Sequence, residues 1–138
     1  MSSLQCEIVT PERSLYKDEA SFVVVPAETG EIGMYEKHAS TIVTLGMGCV
    51  RVTEPDGEIM RIAVNGGYAE VDGTKVIVLA AQAQPLSELG KDEVSARIDA
   101  LDNQISGMSE DDVTLPFNKS QLEWNKLLLK LLEEDSGK

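Results

Sequence analysis

The chain has 138 residues, with 24 Asp and Glu against 12 Lys and Arg and a net charge of −12. That balance repels phosphate backbones and anionic headgroups, so neither nucleic-acid binding nor direct lipid insertion is expected. The length suits one core with a small appendage.

Leu4-Gln5-Cys6-Glu7-Ile8-Val9 alternates and stops at Thr10-Pro11, as a strand does at a turn or edge. Ala20–Val25 is rich in β-branched residues, ends at Pro26 and reads as a strand buried on both faces. Gly30 and Gly33 follow at a spacing that suits a tight turn needing positive φ, ahead of His38, the only histidine. Ile32, Met34 and Tyr35 fall at the tip of that loop beside Glu31 and Glu36, either tucked inward or forming an exposed docking edge. An apolar run then leads to Gly46 and Gly48. Cys49–Thr53 and Glu58–Val64 flank the turn residues Glu54-Pro55-Asp56-Gly57, and Tyr68–Val71 and Lys75–Leu79 flank Asp72-Gly73. Short strands with turns at such close intervals predict an antiparallel sandwich or flattened barrel over residues 1–84.

The texture changes near Pro85, where residues 85–90 read as a hinge before a helical region, 91–138. Val94, Ile98, Leu101, Ile105 and Met108 recur at steps of four and three, the narrow stripe of a helix that meets another helix. Asp92 and Glu93 complement the dipole of its first turn, and Gly107 ends it. For the second helix the sequence predicts a cap at Asn118 with Gln121 reciprocating and a Phe117–Leu122 staple. Its apolar side holds Trp124, Leu127, Leu128, Leu131 and Leu132. The expected fold class is α+β, an N-terminal antiparallel β-sandwich followed by a C-terminal antiparallel two-helix hairpin. Helices of this length are marginal alone, so the hairpin is expected to be held by its own seam and one face of the β-domain, and to be releasable.

No Walker loop, G-x-S-x-G or H-E-x-x-H occurs, and one histidine cannot assemble an ordinary zinc site. Cys6 and Cys49, 43 positions apart, read as reduced core thiols. Apolar runs such as Val76–Ala81 fall far short of the roughly 20 residues that span a bilayer. A binding protein with no active site, no metal and no cofactor is expected.

The stretch G-E-I-G-M-Y-E-K-H-A (Gly30–Ala39), then T-L-G-M-G-C-V-R-V (Thr44–Val52) and N-G-G-Y-A-E-V (Asn65–Val71), closely resembles the epsilon subunit of F-type rotary ATP synthases. The opening I-V-T-P-E-R (Ile8–Arg13) and closing V-I-V-L-A (Val76–Ala80) are similar too. The resemblance implies a ten-stranded β-sandwich and two helices at the foot of the central stalk. There the β-domain grips the gamma subunit, rests on the c-ring and helps couple proton flow to ATP synthesis at the cytoplasmic face of a bacterial membrane. It assigns Glu31, Ile32, Gly33, Met34, Tyr35 and His38 to the c-ring contact. Glu36-Lys37 stand where the family commonly has proline and glycine.

In the family the hairpin can also extend into the alpha/beta catalytic head and block ATP hydrolysis. Some members hold ATP through I/L-D-x-x-R-A on the first helix. Ile98 and Asp99 match its start, but Asp102-Asn103 replace Arg-Ala, which reverses the charge offered to phosphate, so tight regulatory ATP is not expected. From Lys91 onward six basic residues face eleven acidic ones, and only Lys119, Lys126 and Lys130 form a basic patch on the second helix. Weak or conditional inhibition is the expectation. The alternative reading is an autonomous ligand-sensing β-sandwich with a releasable helical hairpin.

Overall fold

The computed structural model describes residues 4–36 and 38–136, with the side chains of His38, Asp135 and Ser136 outside that description. Lys37, which with Glu36 departs from the family's pattern, and Lys138, one of the six basic residues from Lys91 onward, lie outside the described residues. The chain divides into two compact units, Met1–Ser87 and Glu88–Lys138.

The first unit holds eight strands among the described residues: β1 (Leu4–Val9), β2 (Ser14–Ala20), β3 (Phe22–Ala27), β4 (Gly30–Met34), β5 (His38–Thr44), β6 (Met47–Thr53), β7 (Ile59–Gly73) and β8 (Lys75–Pro85). They connect as β2-β1-β8-β7-β6-β3-β4, with β5 also on β7. The long strands β7 and β8 stay in one register from Asp72 opposite Lys75 to Ile62 opposite Pro85. Along the other edge of β7, β5 pairs with its second half and β6 with its first. Two five-membered layers result. One holds β2, β1, the start of β8, the end of β7 and β5; the other holds the end of β8, the start of β7, β6, β3 and β4. Eight continuous strands thereby fill the ten positions of the sandwich.

The core lies between the layers, and strands such as β1 and the first half of β8 bury alternate residues toward it, as the two-residue period of a pleated strand requires. Leu4, Cys6 and Ile8, then Val71, Val76 and Val78, face Val23, Val25, Val50, Val52, Ile62 and Val64 in one buried cluster. Burying each Val, Ile or Leu contributes about 1.5–3 kcal/mol. The alternation in β3 corrects its reading as buried on both faces, since Phe22 and Val24 are only half-buried while Val23 and Val25 are buried. Pro26 lies within the strand. The pairing of β1 with β8 is parallel, unlike the other pairings, and departs from an all-antiparallel sheet. Parallel neighbours need a long crossover, and here the rest of the sandwich supplies it.

The glycine motifs of the sequence meet where both layers share β7. Leu45 N–H donates to Gly67 C=O at 2.9 Å, Gly66 N–H to Gly46 C=O at 3.2 Å, and Gly46 N–H to Pro26 C=O at 2.9 Å. Gly67 has φ +108°, and a Cβ built on it would lie 2.0 Å from the Leu79 carbonyl oxygen. Only glycine lets the two strands approach that closely.

A 3-10 turn, Leu86–Glu88, spans the boundary between the units along the chain, and in the second unit the helices α1 (Lys91–Ser106) and α2 (Leu115–Ser136) pack together as a hairpin. On α1 the predicted stripe is the least exposed face, with Val94 buried and Ile98, Leu101 and Ile105 half-buried. Gly107 ends α1 in right-handed geometry, φ −90°, without the left-handed turn that often closes a helix.

The start of α2 differs from expectation. Asn118 N–H donates to Thr114 C=O at 3.0 Å, which makes Thr114 the cap position. The Asp112 carboxylate accepts from Thr114 N–H at 2.8 Å and from its hydroxyl at 2.7 Å. Pro116 sits in the first turn, where a missing N–H costs nothing, so it does not delay the helix. Asn118 is therefore internal, and its amide donates to Thr114 C=O at 3.0 Å. Phe117 is 65% exposed and forms no staple. Trp124, Leu128 and Leu132 are buried as expected.

Candidate functional site on the sandwich surface

Strand β4 carries most of the residues expected to meet a partner, and its pleat separates them. Glu31, at the outer surface, accepts two hydrogen bonds from the Arg51 guanidinium, at 2.7 and 3.1 Å, reaching across β3. Ile32 packs against the core from a half-buried position. The Phe22 ring occupies the space beside Gly33, with its tip 2.6 Å from where a Cβ would stand. Gly33 therefore serves close packing within a strand, which corrects its assignment to a positive-φ turn. Met34 is fully buried, so its side chain packs the core and does not reach a partner as expected. Tyr35 is 59% exposed and stacks on Phe22 at 5.6 Å between ring centroids. His38 opens β5 opposite Gly73.

The Arg51 hydrogen bonds, and then its charge, hold the Glu31 carboxyl below its ordinary value of 4.5. A carboxylate whose pKa falls on folding contributes stability above its unfolded pKa and loses it as pH drops through the folded one. Both side chains are more than a third exposed, so the pair is worth at most about 1 kcal/mol. It fixes the edge of β4 more than it stabilises the fold.

A second surface, not assigned from the sequence, lies on the outside of the layer containing β5. Thr44, Tyr68, Leu79 and Val9 stand side by side across four strands, and the next row runs Ile42, Glu70, Ile77, Glu7. Tyr68 is 46% exposed and Ile42 68%. A depression of about 330 Å³ opens beside Tyr68, lined also by Val9, Thr10, Pro11, Leu79 and Ala81. The signal was present in Val76-Ile77-Val78-Leu79, apolar at both parities although only Val76 and Val78 face the core.

On the hairpin, Lys119, Lys126 and Lys130 are exposed on α2. Ile98 is half-buried on the seam side of α1, while Asp99, Asp102 and Asn103 are exposed.

Residues 3–86, the sandwich with both surfaces, match the family model for the β-sandwich domain of the ATP synthase delta/epsilon chain. The ATP synthase epsilon chain of Campylobacter concisus is 34% identical over 89% of this chain and 95% of its own length. The chain belongs to the ATP synthase epsilon-chain family. Another member, from Dichelobacter nodosus, is 35% identical over 92% of this chain and 91% of its own. The epsilon-chain fold is also seen in a chain of the Euglena gracilis mitochondrial ATP synthase, with a TM-score of 0.79 at 18% identity, covering 96% of this chain and 82% of that one. A chain from the central stalk and c-ring of the Tetrahymena thermophila mitochondrial enzyme gives 0.53 at 13% identity, covering 96% and 95%.

In this epsilon chain Cys6 and Cys49 are free and buried, and burial pushes their thiols up to about 12 and about 11. Both stay protonated and unreactive at neutral pH. Among the described residues no cluster of three His, Cys, Asp or Glu could hold a metal ion, and no helix is long and apolar enough to cross a membrane.

Proposed function

We propose that this epsilon chain is a non-catalytic subunit of the central stalk of an F-type ATP synthase, peripheral to the cytoplasmic face of the bacterial plasma membrane. It binds the gamma subunit, turns with the c-ring and couples proton-driven rotation to ATP synthesis. The observation that carries the reading is the largely apolar outer row Val9, Leu79, Tyr68 and Thr44 on the sandwich that matches the family, beside which Ile42 and Ile77 alternate with Glu70 and Glu7. Gamma docks there. The c-ring contact uses Glu31, Tyr35 and His38 with the flank of Ile32, while Gly33 and Met34 shape β4 from within. Tyr68→Asp places a charge in the apolar row and is expected to weaken gamma binding at least about tenfold, or 1.4 kcal/mol. Ile59→Asp, on the other layer and 46% exposed in the native chain, serves as the control. Equal gamma affinity of the two variants in a calorimetric titration would contradict this docking face.

The helical hairpin regulates ATP hydrolysis weakly or conditionally by approaching the alpha/beta head. Lys119, Lys126 and Lys130 supply its favourable charge, and the acidic excess of the same unit opposes an acidic target. ATP is not held tightly, because exposed Asp102 would face its phosphates where other members place arginine. Titrating the full chain with ATP is expected to give no saturable heat, and micromolar binding would overturn this part of the reading.

A further inference from the structure

The end of the connection between α1 and α2 and the first turn of α2 each carry an apolar side chain that the hairpin itself does not use. Val113 is 91% exposed and Phe117 65% exposed. With Thr114 at the cap position, Val113 is the residue before the cap, where an apolar side chain ordinarily packs on the fourth helical residue. That residue is Asn118, buried and turned toward Met108, with 3.7 Å between its amide nitrogen and the sulfur. Phe117 is the third helical residue, where Glu or Gln would reach back to the cap. Neither apolar residue has a local role in starting α2.

The surroundings define what could cover them. Between Arg97 and Lys119 the chain holds no basic residue, but it holds Asp99, Asp102, Glu110, Asp111 and Asp112. Glu110 and Asp111 are exposed, and Asp112 is half-exposed while bonded to Thr114. Val113 and Phe117 thus form an exposed apolar pair at the start of α2, preceded along the chain by Glu110, Asp111 and Asp112, with Lys119 the first basic residue after them. An anionic lipid surface or a nucleic acid would be repelled, and a second copy would oppose the same charge.

We propose that this pair docks into an apolar pocket rimmed by lysine or arginine on another subunit of the assembly, a proposal that rests on the stalk reading. The apolar pair supplies the buried contact, and the acidic run Glu110-Asp111-Asp112 sets orientation and partner choice.

The test places the photo-reactive p-benzoylphenylalanine at position 117 of the full chain within the purified ATP synthase of its own organism. Irradiation is expected to cross-link it to one peptide of one other subunit, carrying basic residues beside apolar ones. Yield should fall at least tenfold when Glu110→Lys and Asp111→Lys are added, and circular dichroism should be unchanged because both sites are exposed. Cross-links confined to this chain or to a second copy, or none above the dark control while the chain remains in the complex, would overturn the proposal. So would a yield that is insensitive to the two lysines. If the unmodified chain is itself absent from the complex, the stalk reading falls and takes this proposal with it.

Discussion

Gly67→Ala is expected to destabilise the β-sandwich by about 3–5 kcal/mol, since it combines backbone strain with overpacking of main-chain atoms. The added methyl would lie 2.0 Å from the Leu79 oxygen and 2.9 Å from the Ala80 Cα, at a φ of +108°. Relief by movement is denied because Leu79 is paired on both sides, to Tyr68 of β7 and Val9 of β1. A loss of that size is a large part of the 5–15 kcal/mol that holds a typical domain together. Gly30→Ala separates the two causes. Its φ is +129° but nothing lies within 4 Å of the added Cβ, so only about 1–2 kcal/mol of strain is expected. Urea unfolding followed by the β-sheet circular dichroism signal compares them, and coincident midpoints would show that the Leu79 approach does not matter.

Leu128→Ala is expected to cost the hairpin about 2–5 kcal/mol, the range for emptying a buried leucine site. Leu128 is 1% exposed, one turn beyond Trp124, the chain's only tryptophan and 4% exposed. Trp124 fluorescence therefore reports the second unit, and it should shift to the red at lower urea than in the unmodified chain. Asn125→Leu provides the opposite sign. Asn125 is 6% exposed, its amide donates to Gln121 C=O at 2.8 Å, and its Oδ1 is buried without a hydrogen-bond partner. Replacing an incompletely satisfied buried amide with an apolar group of similar volume is neutral or stabilising. A Leu128→Ala chain whose tryptophan emission follows the unmodified profile would mean that this burial does not hold the hairpin.

The parts of this fold that were legible in the sequence are those fixed by neighbours along the chain. Leu4–Val9 shows its buried face by alternation, and Glu54–Gly57 makes its turn with Gly57 N–H bonded to Glu54 C=O at 2.9 Å. Likewise, the stripe from Val94 to Ile105 marks the seam of α1. Strand β2 was missed because its Lys17-Asp18-Glu19 run looks like loop, although charges suit the sheet edge it occupies. β4 was read as a turn because Gly30 has the positive φ of one, +129°, while Gly33, inside the strand, only mimics it. The continuity of β7 through Gly66 and Gly67 depends on β8, β5 and β6, and no local rule contains those partners. The cap of α2 was placed four residues late, at Asn118 instead of Thr114, because Asn118 with Gln121 imitates a capping pair while Pro116 already lies inside the first turn. At the candidate site, the Glu31–Arg51 pair links residues 20 positions apart and the Tyr68 row spans four strands. Such constellations exist only once the layers are assembled.

The central claim is that the sandwich is the gamma-binding foot of a rotary stalk. The most direct test mixes the purified full chain with the gamma subunit of the same organism at physiological salt and follows size-exclusion elution by light scattering. The account predicts a stable stoichiometric complex that Tyr68→Asp weakens. A chain that elutes alone, with gamma folded and in excess, would contradict it.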